Sequence, residues 1–345
     1  MAISIGGDFV LTTFTPIRTD MEAIGQCIRD LADCKIAALA IKSIYVTHLP
    51  EDVLAYANRE GLPIFLFDEG VYFEDIIEDL INGMQARSFM DLLEAKVDAL
   101  YRKDLRPAMV LDIARDINRQ FLESIQVVYM KAKGFVAKDQ LIQYAERYLR
   151  SRHRSPHYSL VPYEDGLMVF LTGQDLTDQG VQLDLDFLMR TLGIDADQYM
   201  RGYSAPLKGL GQLDTAVKQA VYATMACDLE GVDLMVYGDL GIYKLLLPAS
   251  GNVWVRQYME DVLTPIRDYD GGKLLETART YIGQGGDVVA TAEAMYQHKN
   301  TIRYRLQKMK TLLACDQEGD FYEQLSIAIK CEQIMKMRKD ANFAG

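Results

Sequence analysis

The chain has 345 residues, a net charge of −12, 49% hydrophobic and 25% charged residues; this globular balance argues against a disordered or disulfide-scaffold chain and, at roughly 150 residues per domain, points to two or three domains. No apolar run approaches the roughly 20 residues that cross a bilayer, and the start MAISIGGDFV has no basic stretch ahead of a long apolar one, so a cytoplasmic protein without membrane contact is expected. Cys27, Cys34, Cys227, Cys315 and Cys331 are odd in number and form no CxxC pair, which excludes a disulfide framework and a zinc ribbon.

Short apolar runs alternate with helical patterns from FVLTTF onward: a helix from Asp20, the run IAALAIK, a helix after Pro50, the run PIFLF and a helix from Phe73. The alternation predicts an α/β domain with a mainly parallel sheet over residues 1–84. Phe89, Leu92, Leu93, Val97 and Leu100 recur at helical spacing and predict a connector helix over 85–106, which joins domains or pairs with its own copy. An α+β domain follows over 107–248. IQVVYMK is its first strand, a helix runs near 139–150, YSLVPYEDGLMVFLT turns as a hairpin at Glu164-Asp165-Gly166, and a helix around 213–229 precedes the strand LMVYG; Asp-Gly is a strong hairpin signal.

Residues 251–345 read as all-helical. Leu274, Leu275, Ala278 and Ile282 form one stripe; Val289, Ala292 and Tyr296 form a second behind an Asp287 N-cap; Ile302, Leu306, Met309 and Leu313 form a third. Three helices with a tight Gln297-His298-Lys299 junction fit a helix-turn-helix. From Gly271 onward there are 11 basic and 9 acidic residues, a balance of +2 that leaves −14 ahead of it, so only this part meets a polyanion without strong repulsion. At about 100° per residue, Asn300, Tyr304 and Gln307 lie opposite the third stripe, with Arg303 and Lys308 flanking. Asn and Arg suit the edges of adenine and guanine, and Lys, Thr and Tyr suit phosphate oxygens. The pattern alone fits a solvated face of a plain helical bundle equally well.

The wording is more specific. LLETARTYIGQGGDVVATAEAMYQHKNTIRYRLQKMKTLL closely resembles the C-terminal helix-turn-helix of the PucR type, from the bacterial purine-catabolism and sugar-diacid regulators, and the run from His298 to Leu306 carries the likeness. GGDFVLTTFTP with IAALAIK and GLPIFLF resembles the PucR sensor domain, and GYSAPLKGLGQLDTAVKQA with VYGDLGIYKLLLP resembles the family's central GGDEF-like domain. The resemblance implies a metabolite-responsive transcription regulator that binds an inverted-repeat operator in double-stranded DNA as a homodimer or higher homo-oligomer. The DNA-binding set it implies is His298, Lys299, Asn300, Thr301, Arg303, Tyr304, Arg305, Gln307 and Lys308. Family sensors carry a further segment before the GGD, so the first strand and helix of the sensor are expected to be missing here. Met295 stands for the usual Leu, and Lys299 for a common Arg, which keeps the charge and weakens a bidentate contact.

No enzyme is expected. The turn Tyr163-Glu164-Asp165-Gly166-Leu167 lacks the Gly-Gly pair that lets a nucleotide approach the backbone, and Gly285-Gly286-Asp287 reads as a turn with a cap. His153 and His157 are separated by the helix-breaking Pro156, and Gly271-Gly272-Lys273 has Arg267 where a P-loop needs its first Gly. No metal, cofactor or catalytic residue is therefore assigned. Thr12, Thr13 and Lys42 stand at strand ends, where parallel sheets bind ligands, and are the candidates for a small polar or anionic effector. The competing reading is a metabolite-binding signalling protein whose helical tail binds another protein.

Overall fold

Asp20 starts the first helix by accepting a hydrogen bond from the Ala23 N–H at 2.9 Å, which satisfies one of the donors a helix leaves open at its N-terminus. The computed structural model describes residues 7–315 and 317–343, and the chain divides into two units, Met1–Phe89 and Met90–Gly345. In the first, β1 (Phe9–Thr12), α1 (Met21–Asp33), β2 (Ala38–Lys42), α2 (Glu51–Glu60), β3 (Ile64–Phe67) and the start of α3 (Phe73–Arg102) follow in turn. The strands are parallel in the order β1-β2-β3, as the alternation of runs predicts. Leu39 and Ile41 are fully buried in one core with Ile24, Ile28 and Val53, because α1 and α2 cover that face of the sheet. The opposite face carries Phe9 and Phe65, in register with Ala38 and Ala40, and both phenylalanines are exposed.

In the second unit the C-terminal half of α3 buries Met90, Leu93, Val97 and Leu100, spaced to form one helical face. Then come α4 (Pro107–Ile117), β4 (Ser124–Ala132), α5 (Lys138–Arg150), β5 (Tyr158–Tyr163), β6 (Gly166–Gly173), α6 (Asp178–Leu192), β7 (Tyr199–Tyr203), β8 (Leu207–Lys208), α7 (Leu213–Glu230) and β9 (Leu234–Val236). The sheet runs β5-β6-β4-β7-β9 with β8 paired to β4; it is antiparallel except for the parallel pair β7 and β9. Central β4 is buried at eight of its nine positions, which accounts for its near-continuous apolar run. Pro162 is tolerated because β5 is an edge strand. The β5–β6 hairpin turns through Glu164 and Asp165, with Glu164 at φ 48°. Helices α4 and α6 were not among the sequence-based expectations.

Close approach sets two glycines. A Cβ at Gly202 would lie 2.2 Å from the Thr224 backbone nitrogen and 2.4 Å from the Ala220 carbonyl oxygen, and one at Gly166 would lie 2.0 Å from the Met130 carbonyl oxygen. Helix α7 thus presses on the sheet at Gly202, while its Ala223 and Ala226 belong to the core of the helical tail. The tail is α8 (Tyr243–Ala249), α9 (Val253–Tyr269), α10 (Lys273–Gly283), α11 (Val288–Ala294), α12 (Lys299–Leu312) and α13 (Glu318–Phe343). Glu332 of α13, nearly buried, accepts from Arg279 Nε at 3.0 Å and Nη2 at 2.8 Å. Glu230 ends α7, accepts from the Tyr243 hydroxyl at 2.7 Å and pairs with Lys330 at 3.2 Å. Among the described residues no helix is long and apolar enough to cross a membrane.

Gly202→Ala is expected to cost about 3 kcal/mol or more, since backbone atoms must move to admit the methyl group; the urea midpoint measures it. The Tyr243 hydroxyl, more than Lys330, holds the Glu230 carboxyl below its ordinary value. That contribution is present above the unfolded carboxylate pKa of about 4.3 and is lost as pH falls through the lower folded value. Glu230→Gln is therefore expected to flatten the fall in melting temperature below about pH 5.

Candidate nucleic-acid interface

Asp287 Oδ1 accepts from the N–H groups of Val289 at 2.6 Å and Ala290 at 3.1 Å, so α11 begins where the sequence places its cap. The preceding turn uses Gly285 at φ 62° and Gly286 at φ 86°; the Gly-Gly-Asp letters are a turn and a cap. Helix α11 ends at Ala294, with Met295 as its C-cap. The next N–H, of Tyr296, bonds to Glu293 O at 3.1 Å, and that of Gln297 bonds to Ala292 O at 2.9 Å. This is the Schellman pattern, which needs a left-handed residue at the Tyr296 position. Tyr296 adopts φ 51° and is 95% exposed. An L residue larger than Gly or Asn is held there at a cost of about 1–2 kcal/mol.

His298 then caps α12: its Nδ1 accepts from the Asn300 N–H at 3.2 Å. A ring that accepts at Nδ1 carries its neutral proton on Nε2, which makes Nε2 a donor. Ile302, Leu306 and Met309 are buried, and Leu313 is half-buried at the C-cap, so the third stripe packs as the periodicity requires. The second stripe does not. Ala292 is buried, but Val289 is 53% exposed and Tyr296 stands in solvent, because the turn comes before Tyr296 can complete a helical face.

His298, Lys299, Asn300, Arg303, Tyr304 and Gln307 are all exposed. Thr301 is half-buried behind them. Arg305 is also half-buried, and its Nη1 donates to Thr277 Oγ1 at 2.9 Å; Thr277 on α10 is fully buried. Lys308 Nζ lies 4.6 Å from the centroid of the Tyr269 ring on α9. Lys310 hydrogen-bonds Glu318. The five basic residues of this stretch therefore divide into two that point outward, Lys299 and Arg303, and three that tie α12 to α10, α9 and α13. Tyr296 is the exposed residue that the periodicity misassigned, and its sequence signal was the missing glycine at a turn.

The effector candidates share the carboxyl edge of the β1–β3 sheet without sharing a face. Thr12 pairs with Ile41 in the register, so its side chain turns toward the helix-covered face, where its Oγ1 accepts from the Phe14 N–H at 3.0 Å. Thr13 Oγ1 lies 2.5 Å from Thr15 Oγ1. Lys42 turns to the other face, with Nζ 5.0 Å from the centroid of the Tyr72 ring. In the β5–β6 hairpin the carboxylates are engaged: Asp165 accepts from the Tyr129 hydroxyl at 2.9 Å, and Glu164 pairs with Arg102 at 2.8 Å. His157 Nδ1 lies 2.7 Å from Gln120 O, and the His153 ring meets Phe187 edge-on.

Residues 2–83 match the purine catabolism regulatory protein-like family, and residues 274–331 match the PucR C-terminal helix-turn-helix domain. The regulator of polyketide synthase expression from Bifidobacterium adolescentis, a solved structure, aligns at 15% identity and a TM-score of 0.35, covering 72% of this chain and 99% of that one. A comparison with curated proteins gave no match.

Arg305→Ala is expected to destabilise the protein by about 1 kcal/mol, because it removes the bond from α12 to Thr277, whose hydroxyl keeps its own bond to Lys273 O at 2.9 Å, whereas Asn300→Ala stays within about 0.5 kcal/mol of the parent as an exposed change. Denaturant midpoints of the two variants check the division between framework and outward residues.

Proposed function

We propose, for a chain whose N-terminal region and C-terminal helix-turn-helix are both of PucR type, that this transcription regulator places α12 in the major groove of duplex DNA. The observation that carries the reading is the outward set on α12, with Lys299, Asn300, Arg303, Tyr304 and Gln307 exposed on a helix whose other face is locked into a buried core. Asn300 and Arg303 near the helix start reach base edges. Lys299 and the Nε2 of His298 meet phosphate beside the N-terminus of α12, where the helix dipole favours an anion. Tyr296, held in its strained conformation, adds a contact to the DNA backbone. Arg305 and Lys308 hold α12 in place from behind.

A dimer reads two half-sites about one helical turn, roughly 34 Å, apart in an inverted repeat. The central region is read as a GGDEF-like domain without catalysis, because its hairpin acids are committed to Tyr129 and Arg102. The metabolite response is assigned to the first unit, with Lys42 as the anion-binding group and Thr13 beside it.

Fluorescence anisotropy on the operator and on random DNA tests the reading. Asn300→Ala and Arg303→Ala are each expected to cost about 1–3 kcal/mol on the operator and to relax preference at one base pair per half-site. Lys299→Ala weakens binding to both DNAs and lowers the salt slope by about one unit. Tyr296→Gly keeps the fold and weakens binding. Parental affinity for both DNAs in all four variants would instead favour the tail as a protein-binding bundle.

A further inference from the structure

The outward face of α12 has a centre, and its cations do not stand there. Ile302, Leu306 and Met309 are buried, and at about 100° per residue the direction opposite them falls between Asn300 and Tyr304, with Gln307 about 20° to the far side of Asn300. Arg303 lies about 90° from that direction, and Lys299 lies farther round. The three central residues are exposed, Tyr304 by 68%. Among the described residues, no hydrogen bond, ion pair or ring contact engages the side chain of any of the three. One turn beyond Gln307 the face closes, because Thr311, at nearly the same angle, returns its hydroxyl to Gln307 O at 3.0 Å.

The axial spacing of this set matches a duplex. Asn300 and Gln307 stand about 10 Å apart along the helix at 1.5 Å per residue, about three base-pair steps of 3.4 Å, and Tyr304 lies between them. Each amide carries a donor and an acceptor side by side, the complement of adenine N7 and N6 in the major groove. Guanine in either place sets its O6 against the amide oxygen, two acceptors face to face that have lost their water. A ring at the centre of the face looks at base edges, while phosphates line the walls of the groove, on the flank where Lys299 stands. The apolar feature that a base edge offers to a ring is the C5 methyl of thymine.

We infer that α12 reads an A·T core in each half-site: two adenines about three base pairs apart, held by Asn300 and Gln307, with a thymine methyl between them against the Tyr304 ring. Gln307 and Tyr304 are thereby specificity-determining residues, and Arg303 reaches a base at the margin of this core. The inference rests on the reading of α12 as the element in the major groove and adds which bases it selects.

The test uses the full chain to select duplexes from a randomised pool and repeats the selection with Gln307→Ala, Tyr304→Ala and Tyr304→Phe. All three changes are at exposed positions, so melting temperatures should match the parent. The parent should enrich the two adenines in each half-site. Gln307→Ala should lose the enrichment at one of them and keep the other; a G·C pair at the lost position should cost the parent about 10-fold or more in affinity and the variant less than about twofold. Replacing the enriched thymine by uracil removes only the methyl. It should cost the parent and Tyr304→Phe about fourfold, the value of one buried methylene-sized group, and leave Tyr304→Ala unchanged. Enrichment of G·C at both positions overturns the inference, and so does an unaltered preference in Gln307→Ala. A silent uracil substitution overturns the methyl contact, and if Tyr304→Phe also binds every duplex more weakly, the hydroxyl belongs to a phosphate. In each of these outcomes the parent still binds DNA, and the reading of the tail as a DNA-binding element stands; a parent that selects no duplex sinks both.

Discussion

Helix α7 is the shared wall of the second unit, and the closeness of its approach to β7 is the constraint on which the rest of that unit depends. Only a glycine at position 202 leaves room for the backbone at Ala220 and Thr224, and the Thr224 hydroxyl uses that proximity to donate to Tyr129 O at 3.1 Å. On its other side α7 gives Ala223 and Ala226 to the core of the helical tail. Small side chains on both faces let one helix serve two cores at native packing density. Glu230, Tyr243 and Lys330 then join α7, α8 and α13 at the rim, so the helix-turn-helix is built onto the sheet rather than hung from a linker.

The same economy shapes α12. A basic helix is usually read as a uniform positive surface, yet here the cations divide by position along the helix. Those near the N-terminus point outward, and those farther along, Arg305, Lys308 and Lys310, are spent on Thr277, Tyr269 and Glu318. Holding the helix from three neighbours fixes its orientation, and a fixed orientation is what bidentate contacts to bases require. The tight turn ahead of it fixes the backbone at Tyr296 and Gln297 through their N–H bonds to Glu293 O and Ala292 O, and the His298 ring is held by the Asn300 N–H.

In the first unit the three described strands have α1 and α2 on one face, and the other face exposes Phe9 and Phe65; the Phe67 ring meets Phe73, at the start of α3, edge-on at 5.8 Å. Large exposed apolar residues gathered in this way mark an interaction surface more often than a solvated one.

Much of this was legible in the sequence because the signals are local. Alternating apolar runs set the parallel β1–β3 order, Asp20 and Asp287 announced their caps, and Ile302, Leu306 and Met309 announced the buried side of α12. Helices α4 and α6 were legible too, since Val110, Ala114 and Ile117, and Val181, Leu185 and Met189, keep helical spacing; stronger strand signals on either side masked them. What only the tertiary structure decided is which polar groups are already committed. Arg305 and Arg303 are two residues apart and chemically identical, and the difference between a framework group and an outward one lies in Thr277, 28 positions away in the chain. Thr12 and Lys42 likewise share a sheet edge by sequence but lie on opposite faces by register. Periodicity reports the side of an element that is apolar; the partner that lies against that side depends on long-range packing, which no local pattern encodes.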